Sequence, residues 1–478
     1  MRTFSVLLTL MLFRGGIFGN GVSAQALAGF TQNEALKGAS VSVLVSDVLT
    51  DETLFEWNPE LVLAPASTMK LVTAAAALEK LGTGFRFTTT LGIRGHIDPA
   101  SKILKGDLVI TGGGDPLMGS ARSGNVKGSP EFFDEWIESL KGMGIARIEG
   151  NIILDLSGFR SYDLPAKWVW EDIGNYYGAG PSALNIYDNT VILRFNSPDL
   201  PDQPATLVSA TPDIRGVEWK SEVLSSRVNR DMAYVYGSPW GTRRVIRGTI
   251  PLNRRNFEVK ASMPDPPSVF GDIFKKRLSE KGIQVSGEVI KSAEKVTADS
   301  LRYFYSPPLS HLCSLMNHDS DNLIAESLVM QLAYREKGYG RLEDGNRLLE
   351  EFIRPLEPGL PVFVEDGSGL SRFNAITARQ LNSLLIYMNK SKNGPVFRST
   401  LPVAGTGTLR VFDPEDFPDQ SLRGKSGSMS RVRAYAGYLT GKSGRVMAFA
   451  IMVNNFPGTQ QEVFKAIEGL LVQIRNGQ

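Results

Sequence analysis

The sequence predicts a mixed α/β (α+β) fold, in which helices flank an antiparallel sheet and a large β-rich insertion interrupts the domain. Three patterns predict it. Apolar residues alternate near both ends of the chain, in residues 40–57 and 435–453, as is typical of β-hairpins. Residues 71–81 repeat apolar positions at helical spacing. Between about residue 88 and about residue 300, short strand-like runs alternate with Gly/Pro turns.

The first elements follow in order from these patterns. Valines alternate over residues 41–45, and a polar turn leads to a second run at residues 54–57, which together predict a hairpin. The helix after Ser67 ends at Gly82. In the middle region, Gly112-Gly113-Gly114 is followed by Pro116 and by no Gly-Lys-Ser/Thr motif, so we interpret it as a turn and not as a phosphate-binding loop.

The later elements return the chain to the first domain. A helical pattern covers residues 267–281, and Ser306-Pro307-Pro308 marks the return. Helices are predicted at residues 309–316 and 323–335, with a turn between them. The pattern of residues 445–453 closes the last hairpin, and a helix is predicted at 460–475.

The apolar face of the last predicted helix indicates that a sheet lies next to it. Its apolar face has few cationic neighbours, so we favour packing against a sheet over binding to a membrane surface. The first and last hairpins are then expected to share one antiparallel sheet. We predict one domain from residues 25–88 and 304–478, with an insertion at 89–303 whose inner unit covers about 185–250.

Composition bounds the class of protein. The 478 residues exceed one ordinary domain and are 42% hydrophobic, which is enough for two or three cores. The net charge of +2 comes from 52 basic and 50 acidic residues spread along the chain. Because there is no basic block and no interleaving of basic and aromatic residues, we expect no nucleic-acid partner.

The N-terminus has the pattern of a secretory signal. Arg2 precedes an apolar run over residues 4–13, and small residues end at Ala24. We predict a signal peptide at residues 1–24 and a periplasmic protein; Ala28 is an alternative cleavage point. An uncleaved anchor needs roughly 20 apolar residues, and this run has half of that, so we expect no transmembrane segment in the mature chain.

Cysteine and histidine are too sparse for disulfides or metal centres. Cys313 is the only cysteine, so stability must come from packed cores. The three histidines, His96, His311 and His318, lie in no metal-ligand spacing. We expect no metal and no cofactor, and we interpret His318 as a structural hydrogen-bonding residue.

One octad carries the strongest chemical signal. It runs Ala-Pro-Ala-Ser-Thr-Met-Lys-Leu and places Ser67 and Lys70 three residues apart, on one face of a helix that opens there. A serine hydroxyl becomes a useful nucleophile when a neighbour takes its proton, and a lysine can do so when burial or nearby positive charge lowers its pKa. The pattern therefore predicts a serine nucleophile with its own base in a dry cleft.

Two further patterns follow in order. They are Ser320-Asp321-Asn322 and Lys425-Ser426-Gly427, the second just before a strand-like run. Ser-x-x-Lys, Ser-Asp-Asn and Lys-Thr-Gly together are the signature of penicillin-binding proteins and class A β-lactamases. The chain thus resembles that superfamily, which implies a serine β-lactamase/transpeptidase-like domain.

The spacing between the first two motifs indicates which family of this superfamily the chain resembles. Ser320 lies 253 positions after Ser67. With this spacing, the chain resembles the D-alanyl-D-alanine carboxypeptidase/endopeptidase family of low-molecular-mass class C penicillin-binding proteins, peptidase family S13, which carries a large insertion after the serine helix. The similarity covers essentially the whole mature chain. Further supporting segments are Gly112-Gly113-Gly114-Asp115-Pro116, Trp168-Val169-Trp170-Glu171-Asp172, Asp366-Gly367-Ser368-Gly369-Leu370-Ser371-Arg372 and Pro402-Val403-Ala404-Gly405-Thr406-Gly407-Thr408-Leu409.

The resemblance implies an acyl-enzyme mechanism on D-Ala-D-Ala termini of peptidoglycan stem peptides, with β-lactams as inhibitors. Ser67 would attack, Lys70 would accept its proton, and Ser320 would relay a proton to the leaving amine. The backbone N–H groups of Ser67 and Ser428 would form the oxyanion hole. The residues expected to bind substrate are Asn322, Lys425, Ser426, Ser428, Arg372 and Met429.

Departures from the family pattern and two alternatives stay open at this point. Ser426 and Ser428 stand where threonine is common, and both keep the groups that the chemistry needs. A β-lactamase or esterase would use the same triad with faster deacylation. A non-catalytic envelope-binding protein would have no need for Ser67, Lys70 and Lys425 together.

Overall fold

The structure is a computed structural model that describes residues 21–124, 129–159 and 164–478. The helices are α1 (Gly21–Thr31), α2 (Met69–Leu81), α3 (Asp134–Gly142), α4 (Trp170–Ile173), α5 (Pro266–Glu280), α6 (Leu309–Asp319), α7 (Asn322–Lys337), α8 (Leu342–Ile353), α9 (Ala378–Lys390), α10 (Gly394–Ser399) and α11 (Gln460–Gly477).

The strands alternate with these helices at both ends of the chain and dominate its middle. They are β1 (Ser40–Asp47), β2 (Thr53–Trp57), β3 (Thr88–Asp98), β4 (Ile103–Thr111), β5 (Arg147–Ile148), β6 (Ile152–Asp155), β7 (Thr190–Asn196), β8 (Thr206–Thr211), β9 (Glu218–Ser226), β10 (Tyr234–Tyr236), β11 (Arg243–Pro251), β12 (Phe257–Ser262), β13 (Gln284–Val285), β14 (Val289–Ser292), β15 (Asp299–Tyr305), β16 (Leu422–Met429), β17 (Val432–Thr440) and β18 (Val446–Asn454).

A five-stranded antiparallel sheet joins the two ends of the chain. Its order is β16-β17-β18-β1-β2, and Val43 of β1 lies opposite Ile451 of β18. This confirms that the first and last hairpins share one sheet. Along β18, alternate residues enter different cores: Ala448 and Ala450 pack with α2 and α9, whereas Phe449 packs with α11. Strand alternation therefore buries both faces of the sheet.

The C-terminal helix covers one face of this sheet, as predicted. Its apolar residues Val463, Ile467 and Leu471 are fully buried. Thr459 and Glu462 form a capping box at its first turn, which satisfies N–H groups that the helix itself leaves unpaired. Leu27 of α1 and the apolar residues of α11 belong to the same core. Among the helices of the described ranges, none is both long and apolar enough to cross a membrane.

The middle of the chain forms separate sheets between β2 and β16. Seven strands make a mixed sheet around β3 and β4, and β15 closes it by pairing with β3. Two three-stranded sheets, β12-β7-β8 and β10-β11-β9, lie between β6 and α5 in the sequence. This agrees with the predicted fold class, an antiparallel sheet flanked by helices with a β-rich insertion.

Two predicted helices differ from the observed helices only at their ends, and most of the predicted signal peptide lies outside the described residues. The predicted helix at 267–281 is α5, and the helix predicted from residue 323 begins at Asn322 because Asp321 caps it. Residues 1–20 of the predicted signal peptide lie outside the described residues. Cys313 is buried, and burial raises the pKa of its thiol to about 12.

Candidate active site

Ser67 lies on a strained turn at the start of α2. The preceding residue, Ala66, has φ +47°, a left-handed conformation that costs a non-glycine residue about 1 kcal/mol or more. Two glycines pack directly against this turn. A Cβ at Gly369 would lie 1.9 Å from the Ala66 carbonyl oxygen, and one at Gly427 would lie 2.6 Å from that of Pro65. The contacts hold the nucleophile candidate in one position.

Lys70 is the buried centre of the site. It is 0% exposed, and its Nζ donates to Ser67 Oγ at 3.1 Å, to Asn322 Oδ1 at 2.6 Å and to the Ser368 carbonyl at 2.6 Å. These three acceptors use all three hydrogens of an ammonium group. A neutral amine would keep its bonds to Asn322 and Ser368 and turn its lone pair toward Ser67. The geometry therefore suits proton transfer from Ser67 Oγ.

Burial makes that proton transfer feasible near neutral pH. Loss of solvent lowers the pKa of Lys70 to about 8, while the carboxylates of Asp366, Glu326 and Asp321 act in the opposite direction. An ordinary lysine at this pH would hold its proton firmly. Desolvation is therefore the main reason that Lys70 can serve as a base.

The Ser-Asp-Asn motif is the junction between α6 and α7. Ser320 adopts the left-handed conformation, φ +58°, and ends α6. The Asp321 carboxylate then accepts the Ile324 N–H at 2.8 Å and caps α7. Asn322 follows at the first helical position, where its Nδ2 donates to the Tyr177 carbonyl at 2.8 Å. Both ends of its amide are thus used within the protein, and substrate binding by Asn322 stays a prediction.

Lys425 lies inside strand β16, at the edge of the five-stranded sheet. The strand expected after the Lys-Ser-Gly motif is β17. The motif itself also lies in a strand, which the sequence pattern did not indicate because Gly424 and Gly427 weaken the strand signal. Lys425 is 0% exposed and donates to the Ser426 carbonyl at 2.6 Å. Burial, then the charges of Lys70 and Arg433, lowers its pKa well below the usual value.

Ser426 and Ser428 of β16 differ in their exposure. Ser428 is exposed and lines the cavity in front of Ser67, whereas Ser426 is half-buried and is not among the lining residues. A Cβ at Gly427 would lie 3.0 Å from the Ser67 amide nitrogen. The backbone of β16 therefore runs beside the Ser67 N–H, which is the place where the predicted oxyanion hole needs it.

A cavity of about 950 Å³ opens in front of Ser67. It brings together residues from both halves of the chain, which the sequence separates by hundreds of positions. From the motif-bearing half come Ser67, Ser320, Asn322, Arg372, Ser428 and Met429; from the insertion come Arg122, Asp172, Tyr177, Asp188 and Lys260. Lys70 and Lys425 lie behind this lining.

Sequence reasoning assigned no role to Asp366 and Ser368 in the loop that backs Lys70, or to Trp168, which contacts this loop. Asp366 is fully buried and accepts the N–H groups of Gly369 and Ser371 at 2.6 Å each. Trp168 of the insertion donates its Nε1–H to the same carboxylate at 2.7 Å. Both segments belong to the blocks that carried the family resemblance, so the resemblance was the signal for them.

Arg122 was also missed. It donates to Asp321 at 2.6 Å and to Asp188 at 2.7 Å, and Asp319 lies 3.6 Å away. The carboxylates of Asp321 and Asp188 raise the pKa of Arg122 against the opposing effect of burial. A lone arginine in a Gly/Ser-rich loop carries no sequence signal for such a contact. It ties the insertion to the Ser320–Asn322 turn.

The described residues give no group of three or more His, Cys, Asp or Glu side chains arranged to hold a metal ion. His318 borders the cavity, and burial lowers its pKa. The chemistry assembled around Ser67 is that of a hydroxyl, two buried amines and backbone amides.

A sequence profile of the D-Ala-D-Ala carboxypeptidase 3 (S13) family matches residues 23–477. The chain belongs to this family. Among its relatives, the D-alanyl-D-alanine carboxypeptidase of Actinomadura sp. (strain R39) is 29% identical over 457 residues, which cover 89% of this chain and 80% of the relative. The D-alanyl-D-alanine carboxypeptidase DacB of Haemophilus influenzae is 25% identical over 430 residues, covering 88% and 86%.

The fold of this S13 chain agrees with a solved structure. The crystal structure of penicillin binding protein 4 (dacB) from Haemophilus influenzae matches with a TM-score of 0.80 at 24% identity, over 96% of this chain and 99% of that one. The predicted family, fold and enzyme class, a serine-type carboxypeptidase, are confirmed.

Proposed function

We propose that this S13 protein cleaves the D-Ala-D-Ala bond of peptidoglycan stem peptides through an acyl-enzyme on Ser67. One observation carries the proposal: Lys70, with a pKa lowered to about 8 by burial, lies 3.1 Å from Ser67 Oγ. Ser67 Oγ attacks the carbonyl between the two D-alanines, and its proton passes to Lys70. The C–N bond breaks, the terminal D-alanine leaves as the amine, and water hydrolyses the ester.

The remaining roles follow from position. Ser320 borders the cavity and relays a proton to the leaving amine. The N–H groups of Ser67 and Ser428 hold the oxyanion, at about 3–4 kcal/mol for each donor. Lys425, within β16, supplies positive charge for the terminal carboxylate, with the Ser426 hydroxyl as its neighbour. Desolvation is what lowers the pKa of Lys70.

Recognition of the distal stem-peptide side chain is proposed for Arg372 and Met429. Both line the cavity, and Arg372 lies near enough to Asp172 to lower that carboxyl's pKa against the larger raising effect of burial. Asn322 is proposed to reach a substrate amide by exchanging its bond to Tyr177. This rearrangement is local, because only the Nδ2 group has to change partner.

Cleavage of cross-links is proposed as a second activity of the same site. The favouring observation is the cavity volume of about 950 Å³, which is at the upper end for drug-sized ligands and larger than a dipeptide terminus requires. Penicillin is proposed to acylate Ser67 as a substrate mimic. In support, the Haemophilus penicillin binding protein 4 has been solved in complex with a β-lactam.

Export to the periplasm is proposed from the N-terminal pattern and from the substrate. Ala26 and Leu27 are buried in the core that contains α11. Cleavage after Ala28 would remove both, whereas cleavage after Ala24 keeps them. We therefore favour Ala24. We also propose that residues 25–88 and 304–478 are the peptidase domain and 89–303 the insertion, with an inner unit that continues to Ser262 because β12 pairs with β7.

The test is intact-mass analysis of the mature protein and of Ser67→Ala after incubation with penicillin and, separately, with a D-Ala-D-Ala-terminated peptide. Ser399→Ala, an exposed serine on α10 outside the cavity, is the matched control. We expect an adduct and D-alanine release from wild type and control, and neither from Ser67→Ala. Rapid penicillin turnover without peptide cleavage would indicate a β-lactamase. An inert wild type would indicate a binding protein.

A further inference from the structure

Glu326 is a buried carboxyl group for which the mechanism above has no role. It is 0% exposed and lies on α7, one helical turn after Asn322. Burial of an unpaired carboxylate is costly, so such a group needs hydrogen-bond donors or a nearby cation to persist. Its partners lie in the loop that backs the active site.

The hydrogen bonds of Glu326 lead directly to Lys70. Its carboxylate accepts the Ser368 N–H at 2.8 Å and the Gly367 N–H at 3.3 Å. The carbonyls of the same two residues point the other way, toward α2. Ser368 accepts from Lys70 Nζ, and Gly367 accepts from the Thr73 hydroxyl, both at 2.6 Å. The two residues are thus held between α7 and α2.

Charged groups on several elements surround the Gly367–Ser368 segment and Glu326. Burial, then the charge of Asp366 in the loop, raises the pKa of Glu326 to about 8, against the loop N–H bonds. Lys70 faces it from α2, and Asp321 lies at the start of α7. On β16, the charges of Lys70 and of Arg433 from β17 add to burial in lowering the pKa of Lys425. The charge of Glu326 in turn raises the pKa of Lys70, against the larger lowering effect of burial.

We propose that Glu326 is a positioning residue for Lys70: it holds the Ser368 carbonyl against the Lys70 amine, and its charge sets how readily Lys70 releases its proton. The inference rests on the proposed role of Lys70 as the base for Ser67. An ionised Glu326 stabilises the Lys70 ammonium and slows acylation, whereas a protonated Glu326 favours the free amine. No covalent step is added.

The test compares Glu326→Gln, which removes the charge and keeps the size, with Glu326→Asp, which keeps the charge. Glu468→Gln is the matched control, because Glu468 is a buried helix carboxyl paired with Lys465 in the core of α11. The readout is the rate of penicillin acylation of Ser67 as a function of pH. Acylation by the wild type must be seen first, which separates failure of the proposed function from failure of this inference.

We expect the midpoint of the acidic limb to fall by about one pH unit in Glu326→Gln, since a nearby carboxylate raises the pKa of a lysine by that order. Glu326→Asp and Glu468→Gln should keep the wild-type midpoint. An unchanged midpoint in Glu326→Gln, with or without a lower rate, would overturn the proposal and leave Glu326 as a packing group.

A second measurement does not depend on the folding of that variant. In protein with ¹³C-labelled glutamate side chains, the high-pH glutamate resonance, assigned by its absence in Glu326→Asp, is followed in wild type and in Lys70→Met. Loss of the Lys70 cation should move the Glu326 midpoint upward. A midpoint that is the same in both proteins would overturn the coupling.

Discussion

The two sides of the active-site cavity affect the pKa of their basic residues in opposite directions. We call the peptidase-domain side, with Lys70 and Lys425 behind its lining, the buried wall, and the side formed by residues 89–303 the insertion wall. On the peptidase side, Lys70 and Lys425 are 0% exposed, and burial lowers the pKa of each. On the insertion side, the Arg122 side chain is 23% exposed and ion-paired with Asp321, whose charge raises its pKa. Lys70 is therefore suited to lose its proton near neutral pH and Arg122 to keep its charge, which separates proton transfer from positioning.

Loss of the amine on the buried wall should have the largest effect. Lys70→Met keeps an unbranched apolar stem and removes the base, so acylation by penicillin should fall by about 10²–10⁴-fold. The control is Lys260→Met on the opposite wall, where the amine lies 5.5 Å from the Tyr176 ring and takes no part in proton transfer. Rapid-quench kinetics with mass detection measures both. If the acylation rate fell by a similar factor in Lys70→Met and Lys260→Met, the proposed role of Lys70 in proton transfer would be contradicted.

The pH dependence of acylation should be governed by the buried wall. The free amine of Lys70 is the active form, and its pKa is lowered to about 8. The acylation rate should therefore rise with pH, about tenfold per unit below the midpoint, and level off above about pH 8. A profile of rate against pH with penicillin tests this. A plateau that already begins near pH 6 would mean that Lys70 is neutral throughout or is not the base.

A smaller effect is expected on the insertion wall. Arg122→Gln removes the ion pairs to Asp321 and Asp188 and loosens the turn that carries Ser320. We expect kcat/KM for a D-Ala-D-Ala peptide to fall about tenfold, equivalent to ~1.4 kcal/mol, with the pH midpoint unchanged. Arg277→Gln is the control, since Arg277 pairs with Asp134 within the insertion and does not line the cavity. A shifted midpoint in Arg122→Gln would show that the insertion also tunes Lys70.

Local patterns in the sequence were enough to predict much of the molecule. Alternating valines predicted β1, the run ending at Gly82 predicted α2, and the apolar face of the last helix predicted its place on the sheet. The three motifs pointed to Ser67, Ser320 and Lys425, which the fold brings to one site. These features depend on residues close in sequence, where backbone periodicity and side-chain type are the physical determinants.

The environment of Lys70 was decided by tertiary structure alone. Its acceptors Asn322 and Ser368 are 252 and 298 positions away, and Arg122 contacts Asp321, which lies 199 positions further along the chain. No local pattern encodes such contacts. The Ser-x-x-Lys motif therefore identifies Lys70 as the proposed base, but it does not determine the pKa of Lys70, because a pKa depends on how completely the folded chain removes water and which charges it brings near.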